Sequence, residues 1–406
     1  MKLGEYVKFQ NGYAFKSKDF VETGKYKVIK IKEIKDGVVK FFSDTTSIDC
    51  EMRDDFDKYL VFKGDVLFAL TGDPVNKPNP LSWVGRVAIY LHEEPALLNQ
   101  RVCKLLPNKD VNAKYIYYYF RQFEHFYDLA SKATGSASQA NISTKLIESV
   151  DIDLPEIIIQ DKIVEWLDSI SEKIEINKKI NDNLLAQAQI LYKSWFIDCE
   201  PFDGIRPSDW NIGTISDLAK EIVCGKTPST KVMEYYGSDV PFITIPDMHG
   251  NTYAASTERH LSFLGANSQI RKMLPKNSIC VSCIGTAGLV TLVASESQTN
   301  QQINSIIPKD DYSPFYIYLL MQTLSEVINK LGQSGSTIVN LNKAQFGKIQ
   351  VIVPSISSMK SFDDIVSPFF ALILENQMEN IHLSSLSETL LPKLMSGELN
   401  VSAIDL

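Results

Sequence analysis

The chain repeats itself. Residues 141–155 read NISTKLIESVDIDLP, and 199 positions later residues 340–354 read NLNKAQFGKIQVIVP. Each opens on Asn and an aliphatic residue, passes a Lys, then alternates apolar and polar residues into a closing Pro, the pattern of a half-buried strand. Other stretches recur in the same order. NQRVCKLLP from Asn99 matches NQQINSIIP from Asn300, and KYIYYYF from Lys114 matches FYIYLLM from Phe315. GDVLFALTG from Gly64 matches NSICVSCIG from Asn277, VGRVAIY from Val84 matches AGLVTLV from Ala287, and YKVIKIKEI from Tyr26 matches VPFITIPDM from Val240. A tandem duplication of this kind dictates that whatever one half folds into, the other half folds into as well.

Charge divides each half in two. Residues 1–154 hold 22 Lys and Arg against 21 Asp and Glu, and residues 210–353 hold 11 against 10. The intervening residues 155–209 hold 6 against 11, and residues 354–406 hold 2 against 7. The net charge of −8 therefore sits in two short segments. The organisation is A-B-A′-B′.

The acidic segments read as long helices. From Ile158 to Phe196 the apolar positions are Ile163, Leu167, Ile170, Ile174, Leu184, Ala188, Leu191 and Trp195, a heptad seam interrupted at Asn177 and Asn181. The seam recurs at Phe362, Val366, Phe369, Ile373, Leu383, Ser387, Leu390 and Leu394, interrupted at Asn376 and Asn380. Asn at a seam position lowers stability and fixes register. If the helices run antiparallel, Asn177, Asn181, Asn376 and Asn380 form one polar layer. About 40 residues at 1.5 Å each make a rod of roughly 60 Å, a spacer between two domains. Pro392 is expected to kink the second helix near its end.

The balanced segments read as α+β domains with short strands near Lys27–Ile31, Val66–Leu70, Val87–Tyr90, Val102–Leu105 and Val150–Leu154. One helix is expected over Ala113–Ser131 and its counterpart over Pro314–Leu331, each followed by a Gly/Ser-rich loop. The expected fold class is thus α+β: a tandem pseudo-twofold duplication, with two globular α/β domains separated by two long antiparallel helices forming a coiled coil. The expected boundaries are 1–154 for the first domain, 155–200 for the first helix, 201–353 for linker and second domain, 354–398 for the second helix and 399–406 for a tail.

Several chemistries lack their residues. The start MKLGEYVKFQ has no apolar core of a secretory leader, so with six cysteines the expected compartment is the reducing cytoplasm. The uncharged run between Lys276 and Glu296 approaches membrane-span length, but its glycines and its repeat partner make it two strands around a turn. Cys280 and Cys283 have half a zinc spacing with no second pair. Their counterparts are Leu67 and Leu70, so they are expected in a strand core. Glu33-Ile34-Lys35 has the Glu-x-Lys spacing of a metal-dependent nuclease, yet its counterpart is Asp247-Met248-His249 and no Pro-Asp precedes it. Asn79-Pro80 falls short of an adenine methyltransferase tetrad. No Walker loop, His-Glu-x-x-His or Gly-x-Ser-x-Gly occurs.

The whole pattern resembles the specificity subunit of type I restriction–modification systems. The resemblance rests on NGYAFKSKDF from Asn11, NQR from Asn99, the Gly-Ser loop running into NISTKLIESVDIDLP, LLAQAQILYKSWFIDCEPF from Leu184, and LLPKLMSGEL from Leu390. The second repeat departs from it, with VCGKTPSTK from Val223 where the first has QNGYAFKSK. The resemblance implies a DNA-binding, non-catalytic subunit whose two target recognition domains each read half of a bipartite duplex site. It implies two methyltransferase subunits as partners, carrying S-adenosylmethionine for adenine methylation. It also implies two motor–nuclease subunits using ATP and Mg. No cofactor or metal is expected on this chain, and no membrane partner. The competing classes are a duplicated DNA-binding scaffold without methyltransferase partners and an enzyme with an unrecognised centre.

Bases and phosphates are contacted by cations, amides and hydroxyls on loops. In the first repeat these are Lys16, Lys18, Lys77, Arg86, Arg101, Lys132, Ser138 and Gln139. In the second they are Lys226, Thr227, Ser229, Lys231, Arg259, Ser336 and Thr337. For any one of them a solvated surface group is the competing role.

Overall fold

In the computed structural model, residues 1–49, 56–333 and 340–399 are described. The chain divides into two compact units, one of Met1–Ser171 with Ser385–Leu406, the other of Glu172–Ser384.

In the first unit a six-stranded sheet has the order 7–11, 102–107, 66–69, 87–89, 38–39, 34–35. A second sheet orders 47–48, 26–29, 96–98, 60–61. In the second unit a five-stranded sheet orders 219–224, 303–308, 279–282, 290–293, 253–254, and a smaller one orders 260–261, 236–243, 298–299. The repeat is visible strand by strand. Val7–Asn11 lies antiparallel to Val102–Pro107 as Ala219–Cys224 does to Ile303–Pro308. Strand 26–29 runs parallel to 96–98 as 236–243 does to 298–299. Even the turn chemistry is kept: Gly64 has φ 93° and its counterpart Asn277 has φ 64°. Asn is the side chain that best tolerates this left-handed region.

Three local expectations are corrected. The helix over Ala113–Ser131 is two, Ala113–Arg121 and Phe123–Ser131, broken where Gln122 turns extended (ψ 132°). Its counterpart is likewise Pro314–Thr323 and Ser325–Gln333. The opening of the repeated 15-mer is helical rather than strand. Thr144–Glu148 is capped by Ser143, whose Oγ accepts from Leu146 N, and Lys343–Gly347 is capped by Asn342. Only the second copy then continues as a strand, Gln350–Val353, paired with Asn211–Thr214. Around Val150–Leu154 the first copy makes just a bridge between Lys2 and Asp151.

The long helices span Ile157–Tyr192 and Ile356–Met395. The second passes through Pro368 and continues beyond Pro392 to Met395. In the first unit Ile163, Val164 and Leu167 share a core with Leu394, and Leu390, Leu391 and Met395 pack against it. Asp168 accepts Lys114 Nζ at 2.5 Å and Tyr118 Oη at 2.8 Å, tying the helix to the domain. In the second unit Ala188, Tyr192 and Phe196 share a core with Phe362, Val366, Phe370 and Ile373. Trp195 lies 5.9 Å from Phe362, and Phe196 packs on Trp210, Tyr316 and Phe362.

The four asparagines meet within the second unit. Asn177 Nδ2 donates to Asn380 Oδ1 at 2.9 Å, and Asn376 Nδ2 donates to Asn181 Oδ1 at 2.8 Å. As one residue number rises by four the partner's falls by four, so the helices run antiparallel. The layer is lopsided: Asn177 Nδ2 also donates to Glu379 Oε2 at 2.6 Å, and Lys173 sits 3.2 Å from that carboxylate. These partners hold the Glu379 carboxyl below its ordinary range, the Asn177 hydrogen bond most of all. Among the described residues no helix is long and apolar enough to cross a membrane.

Candidate nucleic-acid interface

Each domain contains one tight backbone contact at an equivalent place. In the first, strand 7–11 ends at Asn11, and Gly12 is pressed against the turn that carries Asn99. A Cβ on Gly12 would stand 2.1 Å from Asn99 O. In the second, a Cβ on Gly225 would stand 2.0 Å from Asn300 O. Gly12 N donates to Val102 O and Gly225 N to Ile303 O, and the next residues, Tyr13 and Lys226, donate to Leu98 O and Thr299 O. The loops QNGYAFKSK and VCGKTPSTK are therefore equivalent after all, Phe15 matching Pro228 as the buried residue and Lys18 matching Lys231 as the exposed one. Their side chains diverged while the backbone register stayed.

Around this contact the same segments gather. In the first domain Gln100 N donates to Tyr13 O, Leu70 N to Arg101 O, and Ile142 N to Leu70 O. Thr71 Oγ1 donates to Asn141 Oδ1 at 2.9 Å, and Thr71–Gly72 pairs with the hairpin of 134–136 and 139–141. In the second domain Cys283 N donates to Gln302 O and Leu341 N to Cys283 O. The glycine loop, the Asn-Gln turn and the end of the central strand thus form one continuous polar edge in each domain, joined in the first by the hairpin.

Most of the expected contact residues lie there. Lys16, Lys18, Arg101, Ser138 and Gln139 are exposed on the edge of the first domain, and Lys77 is exposed on the loop that follows Gly72. Lys132 enters the hairpin but is ion-paired to Asp128 at 2.6 Å. In the second domain Lys226, Ser229 and Lys231 are exposed, and Thr227 donates to Gln301 Oε1 at 2.7 Å. Arg259 lies 5.6 Å from the ring centroid of Tyr236, whose hydroxyl donates to Pro228 O in the glycine loop. Ser336 and Thr337 lie outside the described residues.

Arg86 does not stand on this edge as a free cation. Its guanidinium donates to four carbonyls, Trp83 O at 3.1 Å, Ile34 O at 2.8 Å, Leu81 O at 3.0 Å and Ile31 O at 3.2 Å. Burial depresses its pKa. It is a clamp between the two sheets' connections.

The nuclease-like acid is structural too. Glu33 is fully buried, and its carboxylate accepts from Lys30 N and Thr45 Oγ1. Asp247 does the same for Thr244 N and Thr244 Oγ1. Both acids cap the turn after the equivalent strand, which is why an acid recurs there. Burial raises the Glu33 pKa. Cys280 and Cys283 are buried, and burial pushes their thiols up to about 12 and about 11. Among the described residues no group of His, Cys, Asp and Glu is arranged to hold a metal.

Sequence reasoning missed Gln100 and Gln301. Both are exposed at the tip of the shared turn, and the signal was present in the repeated Asn-Gln pair itself.

Known proteins carry the same plan. The family described as type I restriction modification DNA specificity domain matches residues 1–186 and again 207–382. The HindI specificity subunit of Haemophilus influenzae is 33% identical over 344 residues, covering 68% of this chain and 74% of that one. The EcoBI specificity subunit of Escherichia coli is 22% identical over 426 residues, covering 96% and 83%. The crystal structure of a type I restriction–modification S subunit from M. genitalium superposes with a TM-score of 0.61 at 16% identity, covering 97% and 95%.

Proposed function

Because the chain belongs to the type I restriction–modification DNA specificity family, we propose that it reads a bipartite DNA site, one half with each domain. The observation that carries this is the duplicated polar edge. Two domains of one topology each bring together an equivalent glycine loop and Asn-Gln turn, while most of the exposed side chains on them differ. Equivalent scaffolds with different surfaces are what two unlike half-sites require. Exposed Lys16, Lys18, Lys77 and Arg101 serve the first half; Lys226, Lys231 and Arg259 serve the second. Cations on such an edge meet phosphates, and amides and hydroxyls meet base edges.

In this reading the subunit performs no chemistry. Two methyltransferase subunits, holding S-adenosylmethionine, modify adenine, and motor–nuclease subunits using ATP and Mg cleave. The chain's net charge of −8 fits an assembly in which partners supply part of the phosphate neutralisation.

The test is to express the chain with the methyltransferase of its own system and map methylated bases in the recovered DNA. A two-part motif with a gap of fixed length is the expected result. Complex formation without a two-part motif would overturn it.

A further inference from the structure

The two edges differ at most exposed positions, the pair Lys18 and Lys231 being an exception. By position in the repeat, Tyr13 corresponds to Lys226, Lys16 to Ser229, and Arg101 to Gln302. Against that divergence, Asn99-Gln100 and Asn300-Gln301 are identical. In the second domain the asparagine has a structural task. Asn300 Oδ1 accepts from Gln302 N and its Nδ2 donates to Gln302 Oε1, both at 3.0 Å. Asn99 and Asn300 are each only 9% exposed and are backed by Gly12 and Gly225.

The glutamine side chain is less committed. Gln100 uses its backbone N–H on Tyr13 O, and among the described residues its side chain makes no hydrogen bond. Gln301 Oε1 receives the Thr227 hydroxyl, and among the described residues its Nε2 has no partner. Neither carboxamide bonds to the backbone of its own turn, and both are exposed on a turn that packs closely against a glycine. A carboxamide is neutral, so it adds nothing to phosphate attraction. It is suited instead to pair with adenine in the major groove, donating to N7 and accepting from N6. Thr227 occupies one lone pair of Oε1, which leaves the second lone pair and both Nε2 hydrogens for such a pair.

We propose that Gln100 and Gln301 each read one adenine, one in each half-site, so that the two halves share a base although the surrounding contacts differ. This rests on the reading of the chain as a bipartite DNA reader.

The test uses the whole assembly with its methyltransferase acting on a pool of random-sequence duplexes, with the methylated products sequenced. Gln301→Ala is expected to relax the preference at one adenine of one half-site roughly tenfold to a hundredfold, leaving the other half intact; Gln100→Ala does the same in the opposite half. Gln301→Glu keeps the size and the acceptor but loses the donor, so its preference should move from adenine toward cytosine, whose N4 donates to a carboxylate. That shift cannot arise from a weakened turn. A uniform fall in methylation with an unchanged motif, or no change at all, overturns the proposal. If the wild-type assembly writes no two-part motif, the bipartite reading itself fails, and this outcome is separable because it appears before any variant is made.

Discussion

Arg86 and Arg101 lie on neighbouring turns of one domain and have opposite fates. Arg86 donates to four carbonyls, two of them on residues more than fifty positions upstream, so no local pattern could distinguish it from an exposed cation. Arg86→Lys keeps the charge but loses the planar fork. We expect a loss of about 1.5–3 kcal/mol in unfolding free energy, read by denaturant titration. Arg101→Ala should leave stability within about 0.5 kcal/mol. Gly12 shows the same limit of sequence reading from another side. Glycine next to Asn looks like an ordinary turn, and only the fold reveals that Asn99 O occupies the space of a side chain. Gly12→Ala should cost about 1–3 kcal/mol through forced backbone displacement, read as a lower thermal midpoint.

At the scale of elements, the heptad seams were legible because period is visible over many turns. The buried Ile163, Leu167, Phe362 and Val366 stand where the spacing puts them. The five-residue helices at Thr144 and Lys343 were not, since one turn has no period and their signal is a single capping atom. The break at Gln122 was equally silent. The asparagine layer yields two expectations. A double-mutant cycle on Asn181→Ala and Asn376→Ala should give a coupling of about 0.5–1.5 kcal/mol in denaturant unfolding. Glu379, whose carboxyl is held below its ordinary 4.5 in the fold, favours folding when ionised. Its contribution is therefore present above the unfolded value and lost as pH falls through the lower folded one. The difference in unfolding midpoint between wild type and Glu379→Gln should be present at neutral pH and shrink as the pH is taken below the ordinary carboxylate value.

At the scale of the whole molecule, the duplication made the fold class readable, because each half supplied a control for the other. The matching of the glycine loops was hidden, since their side chains share little and only the hydrogen bonds of Gly12 and Gly225 align them. The function reading predicts independence of the halves. Arg101→Ala should weaken recognition of the first half-site alone, roughly tenfold, and Lys231→Ala should spare it; competition binding with singly altered half-sites separates them. Equal weakening on every sequence, with a salt dependence smaller by about one counter-ion, would make Arg101 a phosphate contact instead.

The first unit is assembled from both ends of the described chain, whereas the second is contiguous. Leu390, Leu391, Leu394 and Met395 close the core that contains Ile163 and Leu167. On a ribosome, those closing residues emerge only after the whole of 172–384 has been made. At about 5–20 residues per second this leaves the apolar face of the first unit uncovered for roughly 10–45 s. The second unit therefore has all its residues before the core of the first can be closed, although the first unit begins the chain.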